Sequence, residues 1–303
     1  MWRNVLVPTD FSGAARKALQ LAMRLVAPGC TVHLMHVITP VEADPYSPVR
    51  LRPEVQARRR FPEEITQELL EQLCREVAKE GITIAPAWRR SSDVVDAILD
   101  YADTIAAELI VMGTHGHRGL KRFLLGSVAE AIVRRASIPV LTLRGQVEVP
   151  EAIHHILVPT DFSEEARLAL REAVRWAVHF RARVTLLHVL MPAWVPIPVA
   201  EVAAAYDLMP ELQQRLVAAL NLWLETELSP DIEAAARIEE GPVDLTILEQ
   251  ARRDAADLIF MATHGRSGVA RWLLGSVTER VLRQAPVPVL TLRAAPWPLK
   301  TDV

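Results

Sequence analysis

The octapeptide VLVPTDFS at residues 5–12 returns as ILVPTDFS at residues 156–163, and this return constrains the fold more tightly than any other feature. The offset is 151 positions, and later pairs nearly keep it: His36-Val37 answers His188-Val189 at 152, and Gly126-Ser127 answers Gly275-Ser276 at 149. Near the ends, IPVLTLR at 138–144 is met by VPVLTLR at 287–293. Matching order at a nearly constant offset is the mark of a tandem duplication. The 303 residues therefore read as two domains, 1–147 and 151–295, each long enough to bury a core of its own. The boundary falls in the polar stretch 145–151.

Each half alternates apolar, β-branched runs with amphipathic helical patterns. In the first half the runs are Val5–Val7, Val32–Ile38, Ile82–Trp88, Leu109–Met112 and Ile138–Leu143. In the second they are Ile156–Val158, Val184–Leu190, Ile232–Ile238, Leu258–Met261 and Val287–Leu292. Helices are expected to open at Ser12 and Ser163, which suit N-caps, and to cover Pro62–Lys79, Asp93–Ala106, Glu211–Glu227 and Val243–Arg253. Continuous apolar strands alternating with helices predict an α/β fold: two doubly wound, five-stranded, mostly parallel sheets. In such sheets a ligand lies beyond the carboxyl ends of the strands, where strand order reverses.

Composition narrows the function classes. Half of the residues are apolar, 23% are charged and the net charge is −3, which is globular and gives no basic surface for nucleic acid. The most apolar run, 186–200, is too short to span a membrane and carries Pro192, Pro196 and Pro198. With MWRNVLVPTD at the start and no leader pattern, the expected location is the cytoplasm. Cys30 and Cys74 each sit in an apolar pattern, which predicts buried thiols rather than a disulfide or metal site. The nine histidines lack ligand spacing, so no metal site is expected.

Four of the twelve glycines (Gly113, Gly116, Gly119 and Gly126) fall within VMGTHGHRGLKRFLLGSVAE, residues 111–130. Gly126-Ser127 then opens a helix with Ser-x-x-Glu, as does Gly275-Ser276 in FMATHGRSGVARWLLGSVTE. A capping box accounts for Ser127 with Glu130, and for Ser276 with Glu279. It leaves the other glycines unexplained. Glycine-rich backbone leading into a helix start is also a phosphate cradle, since first-turn amides lack intrahelical partners. Asp10 and Asp161, after Pro-Thr at a strand end, suit an Asx-turn equally with a polar contact to a ligand. His36 and His188 suit structural roles, as do His115 and His264.

At Gly113-x2-Gly116-x9-Gly126-Ser127 the chain resembles the universal stress proteins, whose nucleotide-binding pattern is G-x2-G-x9-G-[S/T]. Pro8-Thr9-Asp10 and the closing IPVLTL strand are similar too, and the resemblance covers nearly the whole chain as two copies. It implies strand order 3-2-1-4-5 in each half, the halves forming an internal pseudo-twofold dimer through their last strands. It also implies ATP as ligand, with Mg²⁺ as a candidate companion. By the resemblance, the first site comprises Pro8, Thr9, Asp10, Val37, Met112, Gly113, His115, Gly116, Gly119, Gly126, Ser127 and Val128. The second comprises Pro159, Thr160, Asp161, Val189, Met261, Ala262, His264, Gly265, Gly268, Gly275, Ser276 and Val277. Ala262 departs from the pattern, and a left-handed backbone there would disfavour its methyl group.

Basic residues around the loops (His117, Arg118, Lys121, Arg122, Arg266 and Arg271) suit phosphate screening or a solvated surface equally. The segments 39–62 and 191–210 are expected as a flap over the first site and as an apolar loop for a partner protein or a second chain. No G-x4-G-K-[S/T] occurs, no G-x-G-x-x-G follows the first strand, and Pro-Thr-Asp replaces a pyrophosphate-gripping Ser-Gly-Gly. No nucleophile or general base stands out. The sequence therefore reads as a stress-response regulator that binds ATP without being an enzyme, with a scaffold bearing degenerate sites as the alternative.

Overall fold

Three fully buried side chains, Val5, Leu6 and Val7, form the centre of the first strand, β1 (Asn4–Pro8). The computed structural model describes residues 2–40, 62–114, 125–191, 199–229, 231–263 and 274–293, with the backbone course alone for 199–210. The first half continues with α1 (Gly13–Leu25), β2 (Thr31–Ile38), α2 (Pro62–Glu76), β3 (Thr83–Arg90), α3 (Val94–Thr104), β4 (Leu109–Gly113), α4 (Ser127–Arg135) and β5 (Val140–Leu143). The second repeats the order as β6 (His155–Thr160), α5 (Glu164–Phe180), β7 (Arg183–Leu190), α6 (Val199–Glu227), β8 (Ala234–Glu240), α7 (Val243–Arg253), β9 (Leu258–Ala262), α8 (Ser276–Gln284) and β10 (Val289–Leu292). The chain divides between Glu151 and Ala152 into two compact units.

Within the first unit the strands are parallel in the order β3-β2-β1-β4-β5, and within the second β8-β7-β6-β9-β10. The expected 3-2-1-4-5 order thus holds in both. Strand order reverses between β1 and β4, which pair Val5 with Leu109 and Leu6 with Ile110. Right-handed crossovers run one way from β1 to β2 and β3 and the other way from β3 to β4 and β5, which places α1 and α2 on one face, α3 and α4 on the other. Helix α1 lies on β4, β1 and β5, while α3 packs against α4.

Local sequence explains these elements. Helix α1 starts where Ser12 Oγ accepts the Ala15 N–H at 3.2 Å, and buries Ala14, Ala15, Ala18, Leu19, Leu21 and Ala22. Ser163 caps α5 in the same way through the Ala166 N–H. Strand β3 carries Pro86 without losing a sheet hydrogen bond. The Thr83 N–H bonds Cys30 O, so odd-numbered residues face β2 and Pro86 faces outward.

One element departs from expectation. Helix α6 begins at Val199, so more than half of the segment expected as an apolar loop, 191–210, is helix and runs through Pro210. A single proline does not end a helix whose remaining residues are good formers.

Candidate functional site

The end of β1 is a tightly wired turn. Thr9 Oγ1 accepts the Phe11 N–H and Asp10 Oδ1 accepts the Ser12 N–H, both at 3.0 Å. Between them Phe11 takes the left-handed conformation with φ +64°, a costly choice for a bulky residue. Its ring lies 4.6 Å from that of His36, whose Nδ1–H donates to the Thr9 carbonyl at 2.7 Å. The second copy repeats every part. Thr160 and Asp161 hold the Phe162 and Ser163 amides at 3.0 Å, Phe162 has φ +62°, and His188 donates to Thr160 O at 2.8 Å. The Asx-turn reading of the aspartates and the structural reading of His36 and His188 therefore both hold. Val37 and Val189, near the end of the adjacent strand, are buried, as are Pro8, Thr9, Pro159 and Thr160.

On the other side of the reversal, Met112 and Met261 are buried and Gly113 ends β4. A Cβ on Gly113 would stand 2.8 Å from both the carbonyl carbon and the Cβ of Ala14. Close approach of α1 therefore accounts for this glycine. Gly113 and Ala262 are strand residues, and neither has a positive φ. The expected left-handed penalty at Ala262 is thus corrected to a question of helix packing. Beyond the strands, the Gly126 N–H donates to Thr114 O at 2.8 Å and the Gly275 N–H to Thr263 O at 2.9 Å, tying together the two ends of each glycine segment. Thr114 and Thr263 were not among the expected site residues; the repeated Thr-His-Gly was their only signal.

The helix starts correct a second expectation. Gly126 and Gly275 are the N-caps, without a side-chain cap, and Ser127 and Ser276 are first helical residues with exposed side chains. No capping box forms, because Ser stands one place too late for it. The fourth amide is satisfied, Glu130 N–H to Gly126 O and Glu279 N–H to Gly275 O, both at 2.9 Å. The amides of Ser127, Val128 and Ala129 have no partner among the described residues, nor do those of Ser276, Val277 and Thr278. Each triplet sits at the positive end of a helix dipole, a ready seat for an anion. The copies differ at one point: Thr278 Oγ1 donates to Ala262 O at 2.9 Å, where the first copy has Ala129.

His115, Gly116, Gly119, His264, Gly265, Gly268 and the basic loop residues lie outside the described residues, as does most of the expected flap at 39–62. Among the described residues no three of His, Cys, Asp or Glu come together as a metal site, and no helix is long and apolar enough to cross a membrane. Burial pushes the Cys30 thiol up to about 11 and raises that of Cys74, so neither is a poised nucleophile.

A family model described as "Universal stress protein family" matches residues 1–144 and again 152–293. The chain is 28% identical over 306 residues to a universal stress protein of Mycolicibacterium smegmatis, across 96% of this chain and 97% of that one. It is 31% identical over 190 residues to one of Mycobacterium tuberculosis, across 62% of each. Its fold is similar to the crystal structure of a universal stress protein from Archaeoglobus fulgidus, with a TM-score of 0.63 over 96% of both chains at 22% identity.

Proposed function

The chain belongs to the universal stress protein family, and from that premise we propose that it is an ATP-binding regulatory protein of the stress response. The observation that carries the reading is the amide triplet at each Gly-Ser helix start, without a partner among the described residues, beside the reversal of strand order and present in both copies. Phosphate oxygens would be held by the Ser127, Val128 and Ala129 amides, with the Ser127 hydroxyl exposed beside them. Adenine and ribose would lie toward Asp10 and Val37. Mg²⁺, where it accompanies the nucleotide, would meet Asp10 through water. Binding rather than turnover is the activity, since phosphoryl transfer needs a placed base or nucleophile and none is nominated. Nucleotide shifts the protein toward one conformation, and that state presents a different surface to a protein partner in the cytoplasm.

A scaffold with one or both nucleotide sites degenerate is the other reading, favoured at the second site by Ala262 and its bond from Thr278. Thermal denaturation separates the two. A ligand at 100 times its dissociation constant adds about 2.7 kcal/mol of stability. Melting should therefore shift upward with millimolar ATP, and Gly116→Val should lose the share of that shift that belongs to the first site. An unshifted melt in the wild-type protein favours the scaffold.

A further inference from the structure

The connection 145–151 reads in the sequence as polar and irregular, yet one stripe of α1 holds it down. Lys17 Nζ donates to Val147 O at 3.0 Å and to Glu148 Oε1 at 3.2 Å. Two turns further along, Arg24 Nη1 donates to Val149 O at 2.7 Å and to Pro150 O at 2.8 Å. Val147 is buried, and its N–H closes a turn onto Arg144 O at 2.9 Å. Ala14, on the same stripe, packs on Gly145, where an added Cβ would meet its Cβ at 3.4 Å. Ala14 is also the residue against which Gly113 is packed to the limit. A single residue of the first turn of α1 thus touches both the end of β4 and the start of the connection.

The second copy supplies a comparison within the same chain. At the repeat offset of 151, Leu168 stands where Lys17 does, and Glu165 where Ala14 does. Arg175, the counterpart of Arg24, bonds Glu172 on its own helix at 2.9 Å. Leu168 offers no donor in place of Lys17, and the segment after the last strand of the second copy lies outside the described residues.

We infer that α1 couples the first crevice to the connection between the halves, so that occupancy of that crevice tightens the hold on residues 145–151. The inference rests on the nucleotide reading above. Phosphate at the start of α4 fixes the Thr114–Gly126 bond and with it the end of β4. Close-packed contacts transmit displacement. The Ala14 contact therefore passes the restraint to α1, and Lys17 and Arg24 pass it to the carbonyls of Val147, Val149 and Pro150. Linkage makes the effect reciprocal: releasing the connection weakens nucleotide binding at the first site by the same factor.

The test is amide hydrogen exchange of residues 145–151 in the full chain, with and without ATP, beside calorimetry on the same samples. ATP is expected to slow that exchange by about fivefold or more, the lower end of typical coupling. Lys17→Met combined with Arg24→Met should abolish the slowing and weaken first-site binding by a like factor. Glu148→Gln should behave as wild type, because the Glu148 side chain is 93% exposed and the carbonyl bonds remain. If the double variant does not fold, the wild-type comparison decides alone. Binding heat with unchanged exchange at 145–151 overturns the coupling and leaves the nucleotide reading standing. Absence of heat removes the nucleotide reading and the coupling with it.

Discussion

An added Cβ at Gly113 would meet the carbonyl carbon of Ala14 at 2.8 Å, and backbone cannot swing aside as a side-chain tip can. Gly113→Val should therefore destabilise the first unit by about 1–3 kcal/mol, the usual cost of overpacking. Urea denaturation reads this without ligand; an unchanged midpoint would show that α1 can yield. His155 makes a second residue-scale prediction. It is 2% exposed, its Nδ1–H donates to Asp254 O at 3.1 Å, and its Nε2 accepts from Thr185 Oγ1 at 2.8 Å. Burial lowers its pKa first of all, and nearby Arg183 lowers it further, against the opposing pull of Asp254 and Asp257. The unfolded imidazole, with a pKa of about 6.5, then binds its proton before the folded one does. Stability falls as pH drops through 6.5 toward the lower folded value. His155→Gln should flatten that part of the profile.

At the scale of elements, two kinds of serine that look alike in the sequence separate. Ser12 and Ser163 are true caps, and Ser12→Ala should cost roughly 1 kcal/mol. Ser127 and Ser276 are first helical residues, so Ser127→Ala should change ligand-free stability by less than about 0.5 kcal/mol, as an exposed substitution does. Equal losses from the two substitutions would contradict the assigned caps. The sequence pattern Ser-x-x-Glu could not tell them apart, because a capping box depends on where the glycine before it stands. Strand and helix identities were legible wherever burial imposes a period, from Val5–Val7 to VPVLTL. The start of α6 was not, since the prolines and apolar side chains of 191–210 match no single period. The packing role of Gly113 is not legible in the sequence, because its partner, Ala14, is 99 positions away.

At the scale of the molecule, duplication is the most legible feature, and it fixes one strand order that both units repeat. Strands β5 and β10 end that order within their own units, and the sequence expectation is that they pair with each other. Parity makes this testable. The Ile110 N–H bonds Pro139 O, so odd residues of β5 face β4. Pairing on both sides predicts slow exchange at Val140 and Thr142 as well as at Leu141 and Leu143; fast exchange confined to Val140 and Thr142 would contradict it. The Gly-Ser motif is legible in the sequence, while the helix starts, with no serine cap and three amides without partners among the described residues, needed three dimensions. The central claim is that both Gly-Ser helix starts seat the phosphates of one adenine nucleotide each. Isothermal titration of the full chain with ATP tests it most directly. Two binding events are predicted, the first lost in Gly116→Val and the second in Gly265→Val. No heat from the wild-type chain at millimolar ATP, once bound nucleotide has been removed, would contradict it.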